Sequence, residues 1–334
     1  MVESNSEITK PIGGYFELAD RETADNFPHK DGILLNTGRN ALEYILRSIK
    51  DIKSIYLPYF TCEVVLEPIK KLGIPYNFYQ INPRFEIADR IILGEGDYII
   101  VNNYYGIKDL YIRSLYARYG DHLIVDCAQA FFAPIVTGIK AFYSCRKFVG
   151  VADGGIAYLG NEIGADVSLL EAEPTETHSD HLLIRKEKGA EAGFCNYQAN
   201  EAALDRQPIR QMSELTKEAL QHIDYDKIKQ QRIRNWNTLN DALVATNMIQ
   251  TPLTSDFECP MVYPYMVENG LELRKKLISE KIFVAKYWTN VIPYDGFEFE
   301  ANLADKVVCL PLDQRYDIKD MNRIIEIIKK TINV

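Results

Sequence analysis

The sequence predicts an α/β protein: a three-layer α/β/α unit around a mainly parallel sheet of seven strands, followed by a smaller C-terminal α+β unit. Two observations carry this. Short apolar runs alternate with stretches of helical spacing through the first half of the chain, the pattern of βαβ units whose helices cover a parallel sheet. A length of 334 residues, 47% of them apolar, is enough for one large domain and a smaller one.

The strand candidates, in order, are Ile33 to Leu35, Ser54 to Leu57, Tyr76 to Ile81, Tyr98 to Val101, His122 to Val125, Ala141 to Ser144 and Ile156 to Leu159. Asn40 to Lys50, Cys62 to Leu72 and Leu110 to Tyr119 have the spacing and length of the intervening helices. The last two strands follow each other closely, which makes one of them a candidate for antiparallel pairing. From about Asn161 to Leu204 the composition turns polar, and Glu171 to Glu176 and Arg185 to Lys188 read as exposed loop or short helix. Ile209 to Leu243 reads as one long helical stretch. It leads to strand-like Met261 to Val267, a helix near Leu271 to Glu280, strand-like Lys306 to Leu310 and a final helix near Ile318 to Ile332. The division falls at residues 1–215 for the large domain and 216–334 for the small one.

Thirty-eight cationic residues against 47 acidic ones give a net charge of −9 with no basic run, which argues against a nucleic-acid or anionic-membrane surface. The opening Met1 to Ile8 has neither a basic nor an apolar leader pattern, and no segment approaches the roughly 18 apolar residues of a membrane span. The expectation is a soluble, cytoplasmic protein whose partners are small molecules or its own copies. Six cysteines, Cys62, Cys127, Cys145, Cys195, Cys259 and Cys309, form no C-x-x-C pair and read as reduced structural thiols.

Chemistry gathers at strand ends, where open α/β sheets collect their ligands. The strand ending at Ser144 runs into Cys145-Arg146-Lys147 and then Asp153-Gly154-Gly155, and the strand before it ends in Asp126-Cys127-Ala128-Gln129. An amine and a carboxylate so placed suit pyridoxal phosphate, which needs a Schiff-base lysine, an acid on its ring nitrogen, donors for its phosphate and a surface against its ring. Lys147 is the candidate amine and acid/base, and Asp126 the candidate partner of the ring nitrogen. Thr37-Gly38-Arg39 follows the first strand and opens a helix, where free N–H groups and the helix dipole face an anion. Thr37, Gly38 and Arg39 are therefore the phosphate candidates, with Ser144 adding a hydroxyl and Gln129 reaching the ring hydroxyl.

Each piece alone has a plainer reading. A lysine after an apolar strand is usually a solvated charge, and Asp126 is as easily a helix N-cap. What favours the site is that three strand ends carry complementary chemistry in an order one cofactor explains. His178-Ser179-Asp180-His181 lacks a third placed ligand and is assigned no metal. Tyr104-Tyr105-Gly106 either lines the pocket or packs under a loop, and Tyr287-Trp288 reads mainly as core. Gly13-Gly14-Tyr15-Phe16 has no functional account at this level.

The order of these pieces resembles the DegT/DnrJ/StrS-type sugar aminotransferases, which are fold type I pyridoxal phosphate enzymes. Thr37-Gly38-Arg39-Asn40-Ala41-Leu42 stands in place of their S-G-T-x-A-L turn, and Pro58-Tyr59-Phe60-Thr61 matches P-x-x-T. Asp126 to Gln129 matches D-x-A-Q, and Lys147 to Gly155 is similar to K-x-L-x-x-x-E-G-G. Arg210 to Leu215 looks like R-M-S-E-L, and Leu310-Pro311-Leu312 like a late L-P-L strand. The likeness runs from about Gly13 to the C-terminus. It implies an aminotransferase with glutamate as donor, a nucleotide-linked keto-sugar as acceptor, a role in surface polysaccharide biosynthesis and a homodimer with interfacial active sites. In related dehydratases a histidine replaces the lysine, so Lys147 points to amino transfer.

Three departures stand out. Cys62 occupies the place of the aromatic that stacks on the cofactor ring, leaving Tyr59, Phe60 or Tyr104 for that role. Ser144 lies nearer its lysine than in the family. No asparagine precedes Arg210 to reach a neighbouring subunit, and Asn196 is the alternative. Two other readings follow: a catalytically degenerate binding or assembly protein, or a pyridoxal enzyme acting on an amino acid. The latter needs a carboxylate clamp, for which Arg315 and Arg210 are open.

Overall fold

The computed structural model describes residues 10–174 and 179–332. The Met1 to Ile8 start, Thr175 and Glu176 of the polar stretch, and His178 of the His178 to His181 cluster lie outside the described residues.

In chain order the strands are β1 (Ile12–Gly13), β2 (Ile33–Leu35), β3 (Ser54–Pro58), β4 (Tyr76–Tyr79), β5 (Asp97–Asn102), β6 (Leu123–Cys127), β7 (Lys140–Ser144), β8 (Gly155–Leu159), β9 (Val262–Met266), β10 (Ile282–Phe283) and β11 (Val307–Pro311). The helices are α1 (Gly38–Ser48), α2 (Leu66–Lys71), α3 (Asp109–Tyr119), α4 (Asp180–Lys188), α5 (Phe194–Ala203), α6 (Glu214–Gln221), α7 (Tyr225–Leu243), α8 (Gly270–Ser279), α9 (Glu298–Lys306) and α10 (Ile318–Ile332).

Seven strands form one sheet in the order β2-β8-β7-β6-β5-β3-β4. They are the seven that alternation in the sequence picks out. β3 to β7 run parallel, β8 is antiparallel to β7, and β2 is antiparallel to β8. The central strands are apolar on both faces because both are covered. With side chains alternating along a strand, Ile100 and Ile124 join the α1 and α2 layer with Leu42, Ile45 and Ile69. Ile99, Val101 and Val125 face the opposite layer with Ile112 and Leu115 of α3. That second core continues into the C-terminal segment through Trp236, Tyr263 and Val308.

The C-terminal segment pairs β9 with β11 antiparallel, and β1 with β10 parallel. Residues near the N-terminus therefore join the surface of the C-terminal unit. The helix expected from Ile209 to Leu243 is two helices, α6 and α7. Asp224 caps α7, its side chain accepting from Lys227 N, and such a side chain competes with the backbone for the hydrogen bonds a continuous helix would use. Before α6 the chain is extended, with Gln211 bridged to Leu35 and Ala172.

Candidate active site

Lys147 ends a single 3-10 turn, Cys145 to Lys147, directly after β7. The turn is fixed by its neighbours: Cys145 and Phe148 are fully buried, Cys145 N donates to Gly154 O at 3.1 Å, and Gly154 N donates to Asn36 O at 2.7 Å. The half-buried lysine between them borders a cleft of about 610 Å³. Its walls include Ser144 and Arg146 from the sheet side, Tyr15 and Phe16 from the N-terminal segment, and Arg232 and Tyr287 from the C-terminal one.

Asp126 lies near the end of β6, in register with Phe142 of β7. It is 8% exposed, and its Oδ1 accepts from Ala128 N at 2.8 Å. Among the described residues no donor reaches its other oxygen. Burial pushes this carboxyl above its ordinary range, and the nearby Lys147 charge pulls it partly back. The amine and the carboxylate from two adjacent strand ends are thus electrostatically coupled.

Gln129 follows in the turn after β6. Its Oε1 accepts from Tyr105 N at 3.0 Å, whereas its Nε2 is buried with no partner. A buried orphaned donor is costly and marks a place where an acceptor is missing.

Thr37 caps α1, its hydroxyl accepting from Asn40 N at 3.1 Å. The first turn of α1 leaves backbone N–H groups without helical acceptors. This turn sits against Ser144: an ideal Cβ on Gly38 would be 3.5 Å from Tyr143 O and 3.6 Å from Ser144 Cβ. Thr37, Gly38 and Ser144 therefore converge, and Ser144 and Lys147 share one cleft.

Four of the sequence's candidates are engaged by other parts of the protein. The Arg39 guanidinium is paired with Glu67 at 2.8 Å and Asp205 at 2.6 Å, so Arg39 offers an anion its backbone N–H rather than its charge. The Tyr59 ring packs on Phe78 and Phe297 while its hydroxyl donates to Ile292 O. Phe60 is 1% exposed and lies edge-on to Trp288 at 4.4 Å between ring centroids. Tyr104 is also buried, its hydroxyl donating to Phe60 O. Core packing engages these three rings; neither they nor Asp126, Gln129, Thr37 and Gly38 line the cleft itself.

Asp153, at the acidic position of the D-G-G step, has a structural task. It accepts from Ser213 N at 2.8 Å and Ser213 Oγ at 2.6 Å, and also from Thr216 Oγ1, tying the N-terminus of α6 to the loop after Lys147. Asn196 is exposed on α5. Among the described residues no group of three or more His, Cys, Asp or Glu is placed to hold a metal, and no helix is long and apolar enough to cross a membrane.

Gly13 to Phe16, which had no account in sequence, forms part of the cleft rim. Arg315 lies over the Phe16 ring at 4.3 Å, Tyr15 stacks on Tyr197 at 4.8 Å, and Arg185 covers Tyr15 at 4.7 Å. Arg185, read in the sequence as part of an exposed segment, and Arg232 and Tyr197, which carried no reading, also line the cleft; nothing local distinguishes a cleft-lining arginine on a polar helix from a solvated one.

The donor set suits pyridoxal phosphate. Lys147 supplies an amine, Asp126 an oxygen without a protein donor, Gln129 an orphaned N–H, and the α1 turn with Ser144 a cluster of anion donors. The Gln129 orphan is the independent sign, since a ring hydroxyl would give it the acceptor the protein does not.

No protein-family model matches the chain, and no curated protein matches it. Among solved structures the fold is similar to that of S. venezuelae DesV, determined in complex with a ketimine intermediate, with TM-score 0.63 and 16% identity over 90% of this chain and 84% of that one. It is also similar to a DegT DnrJ EryC1 StrS aminotransferase from Brucella abortus, with TM-score 0.58 and 17% identity over 90% and 85% of the two chains. A third similar structure is DesI in the presence of its TDP-sugar product, with TM-score 0.61 and 12% identity over 89% and 79%. The chain shares the aminotransferase fold of these proteins, with its seven-stranded, mostly parallel sheet.

Proposed function

We propose that this chain is a pyridoxal phosphate-dependent aminotransferase that moves an amino group from an amino-acid donor, with glutamate as the expected one, to the keto group of a nucleotide-linked sugar. The observation that carries the reading is the electrostatic coupling of Lys147, on the cleft wall, to the buried Asp126 at the end of the adjacent strand, with the orphaned Gln129 N–H in the turn that follows. Sugar as the acceptor class is supported by the fold's likeness to DesI, solved with a TDP-sugar product. A role in polysaccharide biosynthesis, a cytoplasmic setting and a homodimer belong to the same reading. So does the division of residues 1–215, which hold the cofactor, from residues 216–334, which cover it.

When bound, the cofactor supplies an electron sink that stabilises negative charge at the substrate carbon. This chain's residues would do the rest. Lys147 Nζ would hold the cofactor and, when free, take and return a proton at the substrate carbon. Asp126 would keep a proton on the ring nitrogen, and its burial would strengthen that interaction. Gln129 Nε2 would donate to the ring hydroxyl. The Thr37 and Ser144 hydroxyls and the N–H groups of Gly38 and Arg39 would hold the phosphate at the positive end of α1.

The test is chemical. Borohydride treatment of protein incubated with pyridoxal phosphate should leave one pyridoxyl mass on Lys147, and Lys147→Ala should abolish it. A wild-type protein that gains no such mass refutes the proposal. Loading without any spectral response to amino acids would favour a degenerate binding protein instead.

A further inference from the structure

The proposed phosphate site is built from neutral donors: the Thr37 and Ser144 hydroxyls and the N–H groups that open α1. A phosphate monoester carries about 1.5 to 2 negative charges at neutral pH, and a helix N-terminus answers with only about half a positive one. Lys147 would be spent on the covalent link. The set therefore lacks a full cation.

Two guanidiniums stand beside it. Arg39 is the second residue of α1, and Arg146 lies two residues beyond Ser144, in the turn that ends at Lys147. The end of α5 clasps both: Arg146 Nη2 pairs with Glu201 Oε1, and Arg39 Nη1 with Asp205 Oδ1 at 2.6 Å. Glu201 and Asp205 are four residues apart on tightly turned chain, Asp205 N donating to Ala202 O at 3.2 Å. Side chains so spaced leave the backbone about 5–6 Å apart, which brings the two guanidiniums together. Burial holds the Arg146 guanidinium below its ordinary pKa, and the nearby Arg39 charge adds to that effect.

The two clasps are unequal. Arg39 has two carboxylates, Glu67 and Asp205. Arg146 has one, and the Glu201 side chain is 43% exposed, so returning it to water costs little. The Arg146 Nε is buried with no partner. An orphaned N–H on a guanidinium whose one counterion is half in water marks a charge that a better-placed anion can take. Arg146 and Glu201 both border the Lys147 cleft. Arg315 and Arg210, the open candidates from the sequence, are engaged elsewhere: Arg315 by Asp313 and Glu17, Arg210 by Glu173 and Gln207.

We propose that Arg146 trades Glu201 for the cofactor's phosphate, so that α5 is an acidic latch which cofactor binding releases. The inference rests on the pyridoxal phosphate reading and names the cation of that site. Glu201 beside a bound phosphate would meet like charge, so the exchange would turn its carboxylate out to solvent. The Asp205 pair with Arg39, and Asn200 Nδ2 donating to Ala152 O at 3.3 Å, would keep α5 docked.

The experiment is calorimetry on cofactor-free protein with pyridoxamine 5′-phosphate and with pyridoxamine, which lacks the phosphate; neither probe needs the Lys147 link. Wild type is compared with Arg146→Gln, Arg146→Lys and Glu201→Gln, each checked for an unchanged melting temperature. R146Q should weaken pyridoxamine phosphate binding by about 30-fold, the scale of a charged hydrogen bond, and R146K, which keeps the charge without the fork, by about fivefold. E201Q should strengthen it by up to about fivefold, the worth of a half-exposed pair. Pyridoxamine binding should not change in any of the three. An arginine that only pinned α5 would make both halves of the pair act in the same direction and would weaken both probes alike. R146Q within twofold of wild type, E201Q at or below wild-type affinity, or an equal loss for the two probes overturns the proposal. Where R146Q does not fold, R146K and E201Q decide. Wild type that binds no pyridoxamine phosphate sinks the cofactor reading and this inference with it, whereas tight wild-type binding that R146Q leaves intact sinks this inference alone.

Discussion

Gly155 lies under Thr37 so closely that a Cβ on it would stand 2.1 Å from the Thr37 carbonyl oxygen. The contact joins the first residue of β8 to the cap of α1, and so sets the height of the α1 turn above the sheet. Gly155→Ala must push that turn away, at an overpacking cost of about 1–3 kcal/mol. We expect a lower melting temperature and a pyridoxal phosphate affinity at least tenfold weaker, measured by fluorescence titration. Unchanged affinity would show that the α1 turn does not hold the phosphate.

Gln129→Glu keeps an acceptor for Tyr105 N but replaces the orphaned N–H with an oxygen. Losing one hydrogen bond to the cofactor is worth on the order of 1 kcal/mol, and facing a second acceptor adds to it. The expected result is cofactor affinity weaker by about tenfold or more, read by the same titration. Equal affinity would place Gln129 outside the site.

Asp126→Asn preserves shape and removes the charge that, in the proposed site, would hold the ring nitrogen's proton. Covalent fixation of the cofactor on Lys147 should survive, while the half-reaction with an amino acid slows by roughly 10²–10⁴-fold, the usual scale for a lost proton-transfer partner. Stopped-flow absorbance checks both at once.

Stability should fall in acid through Glu17 and Asp313, whose carboxyls are held below their ordinary range: burial alone would raise them, but the Arg315 guanidinium overrides it in both. With folded values depressed, the native state binds fewer protons than the unfolded chain. The stabilisation is complete above the unfolded carboxylate range and is lost as pH drops through the folded values. Asp313→Asn should cost about 3–5 kcal/mol at pH 7, the scale for breaking a buried pair, and should flatten the acid limb of urea midpoints measured from pH 7 to pH 3. Asp126 works in the opposite sense. Its raised carboxyl makes the native state bind more protons, so its contribution declines as pH rises from the unfolded to the folded value. An acid limb as steep in D313N as in wild type would rule out this assignment.

What the sequence by itself determined is whatever short-range patterning controls. Seven strands were legible because a strand buried on both faces must be a short apolar run. The strand-end chemistry was legible because Ser144 ends its run and Asp126 and Lys147 lie one and three residues beyond theirs, so local register alone brings them to one edge of a parallel sheet. The break between α6 and α7 was also written there in Asp224, though the longer helical period masked it. Only the tertiary structure decided the rest, since side-chain availability depends on long-range neighbours. Tyr59 and Phe60 sit where ring-stacking groups were expected, yet Phe297 and Trp288, more than 200 residues away in the chain, had claimed them. Arg39 reads as an anion donor until Glu67 and Asp205 arrive. Arg232 looks like one more solvated charge on a polar helix until packing removes its water and turns its guanidinium onto the Pro260 and Met261 carbonyls, because burial and pairing are properties of the assembled neighbourhood rather than of any residue's place in line.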